Sequence, residues 1–171
     1  EANFKSLIDS LKTRWSVQVW HYQCDLEQNE QRLELLESIK KNHKYINVLI
    51  NNAAFVGVSE LKGWGTAFEK QTVETWRRGL EVNVTAPFHL CQGLAPIMKN
   101  SEAANIINIG SIYGEYGPDW RLYKGTSMAN PAAYGASKGG LIQLSRWLST
   151  TLAPNIRVNA ISPGGIFRNQ P

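Results

Sequence analysis

Tyr134 and Lys138, in the run Tyr134-Gly135-Ala136-Ser137-Lys138, set a phenol and an ammonium four residues apart. On a helix that spacing places both side chains on one face, one turn from each other. An unperturbed phenol titrates near pH ~10, too high for ready proton exchange at neutral pH. A neighbouring ammonium favours the phenolate, so the pair reads as a candidate acid or base. The same spacing also suits a half-buried tyrosine beside a solvated lysine. The pair has company: Asn51-Asn52-Ala53-Ala54, Asn83, Ser111 and Pro163-Gly164 lie along the same chain.

The elements that must position these groups alternate between helical periodicity and short apolar runs, the pattern of a parallel α/β sheet. Residues 3–14 read as an amphipathic helix, with Phe4, Leu7, Ile8 and Leu11 on one side. Val17 to Cys24 reads as a strand ending at Asp25, and Glu30 to Lys41 as a helix. Ile46 to Ile50 reads as a buried strand ending at Asn51. The stretch from Val73 to Lys99 is helical, with a bend expected near Pro87 or Pro96. Asn105 to Ile109 is a strand ending at Gly110-Ser111, Ala132 to Leu152 a helix, and Ile156 to Ile161 a strand ending at Ser162-Pro163-Gly164. Asp25, Asn51-Asn52, Ser111 and Pro163-Gly164 thus fall at strand ends, where open parallel sheets bind ligands.

Composition bounds the rest. The 171 residues, 43% hydrophobic and 19% charged, suit one globular domain or part of one. The net charge of +4 is dispersed, and the only adjacent basic pairs are Lys40-Lys41 and Arg77-Arg78, which argues against nucleic acid. Cys24 and Cys91 lie far apart in apolar surroundings and read as reduced thiols of a cytoplasmic protein. His21, His43 and His89 show no metal-ligand spacing, and no apolar run approaches the ~20 residues of a membrane span.

Together the motifs resemble those of the short-chain dehydrogenase/reductase family, from about Val17 to Ile166. Asn51-Asn52-Ala53-Ala54 is similar to the family's Asn-Asn-Ala-Gly strand end, and Tyr134 with Lys138 to its Tyr-x-x-x-Lys pair. Asn83, in Glu81-Val82-Asn83-Val84, and Ser111 match its catalytic asparagine and serine, and Pro163-Gly164 its later Pro-Gly. The resemblance implies a doubly wound, Rossmann-type sheet, and hydride transfer between NAD or NADP and a secondary alcohol or ketone. Tyr134 would be the acid or base, and Lys138 would lower its pKa and hold the nicotinamide ribose. Ser111 would orient the substrate oxygen, and Asn83 would hold a water relaying protons to Lys138. Asp25 and Leu26 would touch the adenine, Asn52 and Ala53 would line the cleft, and Pro163, Gly164 and Ile166 would close over the nicotinamide. The resemblance also implies a homodimer or homotetramer pairing through the helices around 73–99 and 132–152. Two rivals remain: a nucleotide-sugar epimerase or dehydratase of the family's extended branch, and a non-catalytic cofactor sensor or scaffold.

Four departures qualify the match. The family's opening Gly-rich turn has no counterpart, since Gly57 is the first glycine; the chain, ending at Pro171, reads as a single partial domain over 1–171, expected to be inactive alone. The nucleotide preference is not legible. Ala54 replaces a glycine. Ser111 and Tyr134 stand 23 positions apart, longer than usual, across Pro118 to Met128. There Arg121 or Lys124 would bind an anionic substrate group and Trp120 or Tyr123 form an apolar wall, unless the segment is a surface loop or subunit contact. Phe55 to Phe68 is also long and aromatic. Both segments resemble those of reductases from bacterial surface-sugar or flagellin-glycan pathways, which implies a polar, sugar-derived substrate.

Overall fold

A strand survives only where a neighbour satisfies its backbone, and this chain builds three such strands in parallel. The computed structural model describes residues 2–56, 61–126 and 129–166. Residues 57–60 of the first long segment, and Ser127 and Met128 of the second, lie outside the described residues. The elements are α1 (Ala2–Trp15), α2 (Asn29–Asn42), β1 (Val48–Asn51), α3 (Val73–Leu80), α4 (Ala86–Met98), β2 (Ala104–Ile109), α5 (Ala132–Leu152) and β3 (Ile156–Ile161). The strand order is β1-β2-β3, and Ile106 sits level with Leu49 on one side and Val158 on the other.

One face of this sheet holds the core. Residues of β2 alternate between buried and half-buried, and Ala104 and Ile106 point into a cluster with Leu36 of α2, Leu90, Leu94 and Met98 of α4, and Leu148 of α5. On the opposite face Val48 and Ile50 of β1 and Ile161 of β3 are about half exposed.

One expectation is corrected. Val17 to Cys24 is not a strand: it runs without a ladder partner beside the end of α2, where Asn42 donates to the Tyr22 hydroxyl at 3.0 Å. Its β-prone composition has no adjacent strand to pair with among the described residues. Within the expected 73–99 helix the regular α pattern is interrupted by a π-helical segment, Glu81–Thr85, which ends close to Pro87 in the first turn of α4, while Pro96 is carried inside that helix.

Polar groups in the core are linked rather than left bare. Asn51 at the end of β1 donates to Asn108 Oδ1 at 2.7 Å, Asn108 donates to Ser145 Oγ at 2.8 Å, and Ser145 donates to the Leu141 carbonyl at 2.7 Å. This chain of bonds ties two strands to α5 beneath the strand ends. Arg32, 2% exposed, pairs with Glu81 at 2.6 Å and also donates to the Leu26 carbonyl and to His89 Nδ1. It joins the turn before α2 to the π segment. Asn108→Ala removes the acceptor of a buried Asn51 N–H, so the protein containing this chain is expected to lose about 1–3 kcal/mol of stability. A denaturant midpoint unchanged by the substitution would show that the bond chain contributes nothing net.

Candidate active site

Tyr134 and Lys138 occupy the first two turns of α5, as their spacing requires. Lys138 is 3% exposed and donates to the carbonyl of Ile109, the last residue of β2, at 2.7 Å. Its ammonium lies 5.8 Å from the centre of the Tyr134 ring. Burial lowers the Lys138 pKa from its ordinary value. An ammonium has three N–H donors, so one protein acceptor leaves two for a ligand.

Ser111 meets this pair through backbone packing. It caps a short 3₁₀ turn, Ile112–Gly114, accepting from Tyr113 N at 3.2 Å. That turn lies directly on α5. A Cβ on Gly114 would sit 2.6 Å from the Lys138 carbonyl carbon and 2.8 Å from Gly139 N. A Cβ on Gly135 or Gly139 would approach the Tyr113 or Gly114 carbonyl oxygen to 3.1 Å. Glycines one turn apart on α5 therefore admit the serine-bearing turn. The Gly-Ser strand end and the Tyr-x-x-x-Lys motif drew attention to the side chains; the glycines between them carried the signal for the packing, in the repeated spacing of Gly135 and Gly139.

Asn83 sits in the π segment, 1% exposed. Its Oδ1 accepts from Phe55 N at 2.6 Å, and its amide donates to the Phe55 carbonyl at 3.2 Å and to Ser137 Oγ at 2.9 Å. Both N–H donors are taken, so the expected water relay to Lys138 does not run through them. The side chain instead holds the loop after β1 against α5.

The strand ends gather at one edge. Asn52 and Ala53 are exposed just beyond β1, and Ala54 is half-buried. The Pro163 carbonyl accepts from Ile112 N at 3.1 Å, which binds the segment after β3 to the Ser111 turn; Gly164 and Ile166 are exposed. Asp25 is exposed and its carboxylate accepts from Glu27 N at 3.0 Å, while the Leu26 carbonyl is held by Arg32. Exposed strand-end backbone and a buried ammonium with spare donors suit a dinucleotide lying across the edge.

The long segment before α5 gives a mixed result. Trp120 and Tyr123 line a cavity beside the site, together with Tyr113. Arg121 and Lys124 do not, so the anion-binding expectation is corrected. The Arg121 guanidinium lies in solvent, paired with Asp119 at 2.6 Å. The Tyr113 and Tyr123 hydroxyls share a hydrogen bond at 2.6 Å, and that shared bond, with burial, raises the Tyr113 pKa from its ordinary value. In the other long segment Gly63 turns with φ +80° and Trp64 is buried against Gly79. Among the described residues no His/Cys/Asp/Glu group could hold a metal ion, and no helix is long and apolar enough to cross a membrane.

Comparison with known proteins agrees with this geometry. The model of the short chain dehydrogenases matches residues 1–168. The chain is 34% identical over 146 residues to the rhamnolipids biosynthesis 3-oxoacyl-[acyl-carrier-protein] reductase of Pseudomonas aeruginosa, covering 82% of this chain and 51% of that protein. Among solved structures it superimposes on NAD+-bound xylitol dehydrogenase with a TM-score of 0.76 at 31% identity, over 95% of this chain and 57% of the other. The NADP complex of RhlG from Pseudomonas aeruginosa gives a TM-score of 0.70 at 31% identity, over 84% and 52%. The chain spans about half the length of the curated relatives it matches.

Gly114→Ala forces a methyl into the α5 backbone and is expected to cost about 1–3 kcal/mol through overpacking. Gly117→Ala, whose Cβ would meet nothing within 4 Å, is the matched control and should leave stability unchanged. Equal melting temperatures for the two variants would refute the close approach.

Proposed function

This chain belongs to the short-chain dehydrogenase family, and on that premise we propose that its protein is an NAD- or NADP-dependent oxidoreductase acting on a secondary alcohol or ketone. The observation that carries the reading is Lys138: a buried ammonium, one helical turn from Tyr134, with the Ile109 carbonyl as its one hydrogen-bond acceptor among the described residues. Burying such a charge is costly unless a partner or ligand uses it. When bound, the nicotinamide cofactor supplies the hydride chemistry. The chain's own residues do the rest. Lys138 holds ribose hydroxyls and supports the charge that develops on the Tyr134 oxygen as its proton leaves. Tyr134 gives a proton to the carbonyl oxygen in reduction, or takes one from the alcohol in oxidation. Ser111 donates to the same substrate oxygen and fixes its position. Asn83 is a positioning residue for Ser137 and the Phe55 loop. Asn52 and Ala53, with Pro163, Gly164 and Ile166, border the cofactor, and Asp25 and Leu26 border its adenine end.

A reduced, cytoplasmic setting fits the two free thiols, of which Cys91 is buried with its pKa pushed up to about 11. Self-association through α4 and α5 fits the exposure of Phe88 and Trp147 on those helices.

Tyr134→Phe keeps the ring and removes the proton. In the protein containing this chain it is expected to lower kcat roughly 100- to 10,000-fold while leaving NADH or NADPH binding intact. Intact turnover in this variant would favour a cofactor sensor. The pH profile adds a second check. Because burial favours neutral Lys138, its ammonium is lost at a lower pH than that of an exposed lysine. Activity should therefore fall on the alkaline side, beginning below the ordinary lysine range, and Lys138→Arg should remove that limb from whatever activity it retains.

A further inference from the structure

Described residues of the Phe55–Phe68 and Pro118–Met128 stretches approach one another beside Tyr134. Residues drawn from 65–71, 113–126 and 129–135 line a cavity of about 720 Å³. A smaller space of about 220 Å³ touches Tyr134 itself, and the two spaces share Tyr113, Tyr123, Ala129, Asn130 and Pro131. The larger cavity therefore adjoins the space at Tyr134 across the hydrogen-bonded Tyr113–Tyr123 pair.

Its walls are unusual in what they leave uncovered. Phe68 is 78% exposed, Tyr116 71% and Trp120 61%, and all three face the same cavity. Several of the polar side chains there are already engaged. Gln71 accepts from Ala132 N at 3.0 Å and donates to the Thr66 carbonyl at 3.1 Å; Asn130 donates to Tyr123, which donates to Tyr113. Glu115 is the one charged residue among the described lining. A carboxylate or phosphate on the ligand would find no cation among the described lining residues. The volume lies in the range of small-molecule sites, and aromatic walls contribute most when an apolar group covers them.

We propose that this cavity receives the non-reacting part of the substrate, that this part is bulky, apolar and uncharged, and that Tyr113 and Tyr123 set its path to the reacting carbon. The proposal rests on the assignment of Tyr134 as acid or base, and it replaces the sugar-derived and anionic substrates that the sequence suggests. Trp120, Phe68 and Tyr123 are its specificity-determining residues.

The test uses the protein containing this chain, NADH and NADPH, and four ketones: acetone, an aryl alkyl ketone, the same aryl ketone bearing a carboxylate, and a polyhydroxylated ketone. The neutral aryl ketone is expected to show a kcat/KM at least about tenfold above the other three. Trp120→Ala should reduce the aryl-to-acetone ratio about tenfold, and Arg121→Ala, outside the cavity, should leave it unchanged. Tyr123→Phe keeps the wall while removing the bond to Tyr113, and should alter the ratio less than Trp120→Ala. Direct binding of the aryl ketone, followed by quenching of tryptophan fluorescence with Trp120→Ala as reference, gives a readout without turnover. Turnover that prefers the polyhydroxylated or charged ketone overturns the proposal while the oxidoreductase reading stands. Absent turnover with Trp120-dependent aryl binding supports the cavity while the oxidoreductase reading falls. Absence of aryl binding overturns the proposal outright.

Discussion

The contact on which the site depends is the backbone approach of the Ile112–Gly114 turn to α5. Ser111 leaves β2 and must return within reach of Tyr134 and Lys138, and only an approach without intervening side chains permits it. Gly114 on the turn and Gly135 and Gly139 on the helix remove the atoms that would separate the two backbones. The Pro163 carbonyl then fastens the segment after β3 to the same turn. Two strand ends and one helix are thereby held at a single edge.

Around that contact, polar bonds in the core decide where the remaining groups stand. The Asn51–Asn108–Ser145 chain ties β1 and β2 to α5 just short of the strand ends from which Asn52 and Ala53 emerge. Asn83 exploits the π segment. The wider turn presents its amide sideways, to Phe55 on one side and Ser137 on the other. Arg32 extends the framework to the turn at Leu26. Among the described residues no buried side-chain N or O atom lacks a partner, so the network specifies one arrangement of the strand ends.

The electrostatics of the site are correspondingly sparse. Lys138 is the buried cation beside Tyr134, and its ammonium is exposed to little but the Ile109 carbonyl and the Tyr134 ring. The other basic side chains of the neighbourhood are turned away or paired: Arg78 with Glu27, Arg121 with Asp119. A charge undiluted by competitors acts on whatever approaches Tyr134, while the adjoining cavity offers aromatic surface and bonded hydroxyls.

The sequence by itself determined the parallel α/β class, most helix and strand spans, and which side chains are candidates for the chemistry. Periodicity and strand-end residues are local signals, and Tyr134 with Lys138 needs only one helical turn to be read. It did not determine whether 17–24 would form a strand, because a strand depends on a neighbour that composition does not reveal. Nor could it show the π-helical turn inside 73–99, since one extra residue in a single turn barely alters the apolar periodicity. Arg121 and Trp120 stand side by side in sequence, yet only the fold separated them, turning one to Asp119 and solvent and the other to the cavity. Such choices rest on contacts between residues far apart in the chain, and those exist only once the backbone has closed upon itself.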